Sequence, residues 1–173
     1  NTDEIKFINA INPSESLNRL PAVYISQGSG QEHLTSLRSP VLSGGAGAGS
    51  FLYLEDGIPL RSPGFGNVNG LMESIIEIGD RTEVVRGPGS ALYGSNAVHG
   101  LINVITPTPS EEKKQIIRTQ FSDQEFTIDG SYSGPTQKGG VVLNLFWRED
   151  NGYSHNESID QPHYGQQKFL FRW

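Results

Sequence analysis

The stretch from Glu83 to Thr106, EVVRGPGSALYGSNAVHGLINVIT, limits what this chain can fold into more than any other. Val84 and Val85 form a short apolar strand, which Arg86-Gly87-Pro88-Gly89 breaks. Ser90-Ala91-Leu92-Tyr93 reads as one helical turn, stopped by Gly94. A second glycine-bounded turn leads into the apolar run Leu101 to Ile105. Glycine stands at each change of direction, where the backbone needs positive φ or close approach. The spacing predicts a compact strand-turn-helix-turn-strand unit and says nothing by itself about chemistry.

The rest of residues 1–106 has the same mixed α and β grammar. Pro13 to Leu20 reads as a short amphipathic helix with Leu17 and Leu20 at i and i+3. Asn12 is its expected cap, Pro13 its first residue, Glu15 its first-turn acid and Pro21 its stop. Strands are expected at Val23 to Ile25, His33 to Leu37 and Phe51 to Leu54, the last running into an Asp56-Gly57 hairpin turn with Ile58 to Leu60 leaving it. Leu71 to Ile75 reads as a second short helix that Ile76 to Ile78 could extend. Gln27 to Gln31 and Ser43 to Ser50 read as loops.

Beyond the proline-rich joint Thr106 to Glu112 the period changes to two. Four strands are expected, around Gln115 to Phe121, Phe126 to Tyr132, Val141 to Arg148 and Lys168 to Trp173. Turns are expected at Ser122-Asp123 and Gly134 to Gly139, and a long polar loop from Asn151 to Pro162. Apolar and polar residues alternate along these strands. That pattern fits a transmembrane barrel or a water-soluble antiparallel sheet with one wet face, and periodicity alone favours the second.

Composition removes several classes of function. The 173 residues hold no cysteine, so disulfide scaffolds, thiol chemistry and cysteine metal sites are excluded together. A net charge of −6 without a basic cluster argues against a nucleic-acid surface. No apolar run approaches the roughly 20 residues of a membrane-spanning helix. Asn1 does not open a basic and apolar leader, so for an exported protein a mature or trimmed chain is expected. Gly87-Pro88-Gly89-Ser90 is not followed by the lysine of a phosphate-binding loop. Ser90, His99 and Asp56 have no triad spacing, and no nucleophile elbow occurs. His99 is expected in the second glycine turn, for local packing or solvation. His155 and His163 with Glu157 and Asp160 match no metal motif, so no metal or other cofactor is expected.

The wording of the segments closely resembles TonB-dependent outer-membrane receptors. Glu83 to Thr106 is similar to the end of that family's plug domain, written RGP…ALYG…GG.IN..T. Glu15 to Val23 resembles its first helix and strand, and Leu34 to Arg38 the following "I.IRG" strand, with Ser39-Pro40 in place of the usual glycine. Leu52 to Leu60 resembles its "VLIDGVPL" hairpin. The resemblance implies an α+β plug domain, a small mixed sheet with short helices, over residues 1–110. The first four antiparallel strands of a transmembrane β-barrel would follow over residues 111–173, the barrel being incomplete in this chain. An energy-coupling box is not evident in Asn1 to Ile11, and twenty-two strands close the family's barrel, so a piece of a longer receptor is expected.

What the resemblance implies for function is binding and transport without bond chemistry. A scarce small-molecule or metal-chelate ligand, most often an iron-siderophore complex, would be taken up across the outer membrane by a protein seated in outer-membrane lipid. TonB in the periplasm would supply the pull on the plug. By position, the ligand-facing plug loops offer Gln27, Gln31, Glu32, Arg61, Phe65 and Asn67. Arg38 and Arg86 match plug arginines that pair with acidic groups of the barrel wall, with Glu55 and Glu83 in the same polar latch. A soluble periplasmic module built on the plug fold and a truncated, non-transporting remnant are the alternatives.

Overall fold

The computed structural model describes residues 12–27, 33–38, 50–60, 70–94, 96–123, 125–151 and 164–173. The chain divides into two compact units, Asn1–Thr106 and Pro107–Trp173.

In the first unit, α1 (Pro13–Leu17) is capped by Asn12, whose side chain accepts a hydrogen bond from Ser14 N at 2.9 Å. That satisfies one of the amides a helix start leaves without an internal partner. The helix is shorter than its apolar spacing suggests: Leu17 is buried, but Leu20 lies outside the helix and is exposed. Asn18 caps the helix end and turns its side chain to the backbone of Ile25. Its side-chain amide donates to Ile25 O at 2.9 Å, and its Oδ1 accepts from Ile25 N at 2.6 Å. It thus imitates a neighbouring strand for β1 (Val23–Gln27), which pairs on its other side antiparallel with β2 (His33–Leu37).

The main sheet of this unit has the order β4-β3-β6-β5. β3 (Phe51–Glu55) runs parallel to β6 (Gly100–Ile105), β5 (Arg81–Arg86) pairs antiparallel on the far side of β6, and β4 (Ile58–Pro59) closes the hairpin on β3. Asp56 and Gly57 turn that hairpin with φ of 49° and 82°, the paired positive values of the tight turn expected from Asp-Gly. β3 and β6 are covered on both faces, so their sequences are mostly apolar, with Glu55 and Asn103 as the polar residues. Phe51, Tyr53, Ile102 and Val104 pack into the larger core with Leu17, Val23, Ile25, Leu37, Leu71 and Ile76. Leu52, Leu54 and Leu101 point the other way, onto Ala97.

α2 (Gly70–Glu73) ends earlier than expected. Ser74 Oγ donates back to Leu71 O at 2.6 Å, competing with the helical ladder. Ile75 to Ile78 leave as turns, with Ile76 and Ile78 buried. α3 (Ser90–Tyr93) is the single turn the sequence predicts, stopped by Gly94 at φ 91°.

The second unit is one antiparallel sheet in the order β10-β9-β8-β7, made of β7 (Lys114–Phe121), β8 (Glu125–Thr136), β9 (Gly139–Asp150) and β10 (Tyr164–Arg172). β8 and β9 run on through Gly134 and Gly140 and turn at Gln137-Lys138, so the expected broad turn is a tight one. The two glycines answer a different need. A Cβ on Gly140 would lie 2.3 Å from Pro109 Cβ, and one on Gly134 would lie 3.2 Å from Lys113 Cγ. They let the segment after Pro107 lie against the sheet, where Ser110 N also donates to Ser133 Oγ at 2.8 Å.

Candidate functional site

Two surfaces of the chain bear on function: the polar ends of the plug-like sheet and the two faces of the four-stranded sheet. Gln31, Glu32, Arg61, Phe65, Asn67 and the side chain of Gln27 lie outside the described residues, as do the loop histidines His155 and His163. Their anchors are described. Gln27 faces His33 at one end of the β1–β2 ladder. Val23 faces Leu37 at the opposite end, next to Arg38.

The expected latch residues fall into two groups. Arg38 and Arg86 both meet the Pro21-Ala22 corner. Arg38 N donates to Ala22 O at 3.1 Å, and Arg86 Nη1 donates to Pro21 O at 2.6 Å. Ala22 and Arg38 hold φ of 60° and 53°, a left-handed conformation uncommon away from glycine. Both arginines are exposed. Glu55 and Glu83 lie further along β6, in register with Val104 and Asn103 respectively. Glu83 Oε1 takes an ion pair from Arg81 Nε at 3.0 Å on the exposed rim of β5. His99 packs as expected, its ring 5.7 Å from that of Phe51 and its amide donating to Ser50 O.

A polar clasp that the sequence reading does not anticipate sits at the hairpin. Asp56 Oδ1 accepts from Thr106 N at 2.9 Å and Oδ2 from Thr106 Oγ1 at 2.6 Å, while Asn103 Oδ1 accepts from Gly57 N at 3.0 Å. The Asn and Thr of the Ile102-Asn103…Thr106 signature therefore fix the Asp-Gly turn to the end of β6. The repeated polar letters in an otherwise apolar strand were the available signal. Asp56→Ala should destabilise this unit by about 2 kcal/mol, since two hydrogen bonds to a charged group are lost. Hydrogen exchange should quicken first at the Thr106 and Gly57 amides.

A second buried polar contact joins Tyr53 Oη to Thr35 Oγ1. Burial pushes the Tyr53 phenol up to about 12, with the Thr35 hydrogen bond opposing the shift. The unfolded chain releases this proton near 10 and the folded chain near 12. The stability it contributes is complete below pH 10 and falls as pH rises from there to about 12. Tyr53→Phe should abolish that part of the alkaline destabilisation, as read by chemical denaturation across this range.

The four-stranded sheet separates its chemistry by face. On one face, Arg118 binds Asp129 in a two-pronged ion pair whose Nη2–Oδ1 arm is 2.9 Å, and Arg148 Nε lies 3.1 Å from Glu125 Oε1. Lys168 joins them, its Nζ 5.9 Å from the centroid of Phe146. On the other face Ile117, Phe121, Leu145, Trp147, Phe169, Phe171 and Trp173 stand exposed. Phe121, Phe126 and Trp147 make a ring cluster at one end of it, with centroids 4.9 and 6.1 Å apart. Strands polar on one face and apolar with aromatic clusters on the other have the build of a barrel wall in a bilayer. No cluster of His, Asp and Glu suited to a metal ion occurs among the described residues.

A small mixed sheet with a polar clasp, followed by amphipathic antiparallel strands, defines the class: an outer-membrane receptor plug with part of its barrel. Residues 1–101 match the TonB-dependent receptor plug domain, and the chain belongs to that family. Over 159 residues it is 31% identical to the vitamin B12 transporter BtuB of Vibrio vulnificus (strain CMCP6), which covers 91% of this chain and 24% of that protein. The chain thus spans about a quarter of the length of this relative. Its fold is shared with the ferric yersiniabactin uptake receptor FyuA from Yersinia pestis, at a TM-score of 0.68 and 23% identity over 91% of this chain and 25% of that one. It is also shared with the pyoverdine outer membrane receptor FpvA from Pseudomonas aeruginosa PAO1, at 0.64 and 21% over 81% and 20%. The location that follows is the outer membrane.

Proposed function

We infer that the chain is the plug, residues 1–110, and the first barrel strands, residues 111–173, of an energy-coupled outer-membrane transporter. Its ligand is a scarce metal chelate, an iron-siderophore complex first of all. The observation that carries this reading is the succession, in one chain, of a plug-family domain and a sheet polar on one face and apolar on the other. TonB is the periplasmic partner that moves the plug. Gln27, Gln31, Glu32, Arg61, Phe65 and Asn67 contact ligand from the plug loops. Arg38 and Arg86, with Glu55 and Glu83, form the latch between plug and wall. A guanidinium suits that role because it stays charged and binds a carboxylate through two parallel hydrogen bonds. Arg86 uses Nη1 on Pro21 O, which ties the latch to the corner that follows α1.

A second cargo, vitamin B12, is favoured by one observation: the 31% identical relative is a vitamin B12 transporter. Cells with and without the intact gene, fed radiolabelled ferric siderophores or cyanocobalamin, separate the two. Uptake of a ferric siderophore that needs the gene and stops with a protonophore supports the first reading. Gene-dependent uptake of cyanocobalamin alone transfers the assignment to the second. No gene-dependent, energy-dependent uptake of either would overturn the metal-chelate assignment.

A further inference from the structure

We propose that the apolar face of the β7–β10 sheet holds a slot for one phospholipid acyl chain, centred on Gly130. The proposal rests on the transporter reading above, in which this face meets the bilayer. Gly130 lies mid-strand in β8, opposite Ile117 on β7 and Leu145 on β9. A Cβ built on it meets nothing within 4 Å. Around that bare backbone is a groove of about 720 Å³, walled by the side chains of Ile117, Ile128, Leu145, Trp147 and Phe169. Gln167 supplies the one polar side chain on this face of the groove. Phe146 and Lys168 also border it; their register puts them on the opposite face, where the Lys168 Nζ stands 5.9 Å from the Phe146 ring centroid.

The occupant follows from depth and chemistry. Gly130 and Leu145 share a level between the Phe121–Phe126–Trp147 ring cluster and the level of Tyr132, Leu143 and Phe171. Aromatic side chains gather at the borders of a barrel's apolar band, so the groove lies inside the hydrocarbon. A peptide there would leave backbone amides without partners. A charged ligand would find no counter-charge among the walls. A flexible hydrocarbon chain needs neither, and it gains contact with five apolar side chains that a flat wall would not offer together. Glycine inside a strand weakens the strand unless something approaches its backbone closely, and the slot supplies that reason.

The test uses the full membrane protein in mild detergent, titrated with a phospholipid brominated on its acyl chains. Bromine quenches indole fluorescence on contact, and the Trp147 signal is isolated by subtracting the Trp147→Phe protein. Quenching should saturate near one lipid per protein. Gly130→Leu, which fills the groove from open space, should raise the half-saturating lipid at least ~10-fold, because several methylenes lose their burial. Gly165→Leu fills an equally open position on the same face that does not line the groove, and should leave the curve unchanged. Quenching that rises linearly with lipid and is identical in all three proteins overturns the slot. So does a dimer that Gly130→Leu converts to monomer, since the occupant is then protein. The underlying reading has a separate readout: cysteines at Ile117 and Phe169 in reconstituted vesicles should resist a water-soluble maleimide. Full labelling of both would overturn the lipid-facing assignment itself.

Discussion

Gly100→Ala should destabilise the plug by about 3 kcal/mol or more, the largest effect of a single added methyl among the described glycines of the first unit. Gly100 opens β6 between two strands, opposite Phe51 of β3 and Arg86 of β5. A Cβ there would stand 2.5 Å from Val85 O and 2.6 Å from Leu37 Cδ1. The first neighbour is backbone of the paired strand and can retreat only by breaking the β5–β6 ladder. The second belongs to a side chain 1% exposed at the end of β2, with no free direction in which to move. Gly57→Ala is the proper control. Gly57 has φ 82° but open space around its Cβ position, so only backbone strain of about 1–2 kcal/mol applies. Calorimetry of the intact protein should rank Gly100→Ala well below Gly57→Ala in stability. Equal losses would mean that β5 can separate from β6 without consequence, and the place of Gly100 in the signature would need another reason.

The contrast between these two glycines bears on what can be read from sequence. Local punctuation was legible: the Asp56-Gly57 hairpin and the single turn Ser90–Tyr93 with its Gly94 stop appear where spacing puts them, and the period-two strands appear around the expected residues, with β8, β9 and β10 longer than expected. What failed was the extent of elements whose ends are decided by distant partners. α1 ends at Leu17, where the Asn18 side chain turns to the backbone of Ile25 in β1. Gly134 and Gly140 look like a turn in the sequence, yet they are strand residues kept bare for Lys113 and Pro109. The clasp of Asp56 with Thr106 joins residues 50 apart, and it exists only because β3 and β6 run parallel. Nothing local announces such a pairing. Family resemblance singled out Arg38 and Arg86 as expectations, whereas their shared corner at Pro21-Ala22 appears only in three dimensions.

Arg148→Ala should destabilise the four-stranded sheet by about 3–5 kcal/mol, far more than loss of the other ion pair on the same face. The side chains of Arg148 and Glu125 are only 8% and 5% exposed, with Nε 3.1 Å from Oε1. Glu125 Oε1 also accepts from Thr127 Oγ1 at 2.8 Å, and the Arg148 guanidinium lies 5.4 Å from the centroid of Phe146. Removing the arginine leaves a buried carboxylate whose charge has lost its nearest cation, and it strips one face of Phe146. Replacing both ends, as in Arg148→Met with Glu125→Gln, removes the charges together and should recover most of the loss. Arg118 and Asp129 form a closer pair, but Arg118 is 39% exposed, so Arg118→Ala should change stability by about 1 kcal/mol at most. The temperature at which the native protein loses its heat-modifiable gel migration in detergent reads all three variants. The expected order is Arg148→Ala lowest, the double variant intermediate and Arg118→Ala near the parent. If Arg148→Ala and Arg118→Ala shift that temperature equally, burial is not what sets the weight of these pairs. The polar face would then be wet enough for both to behave as surface charges, which a water-filled barrel interior would allow.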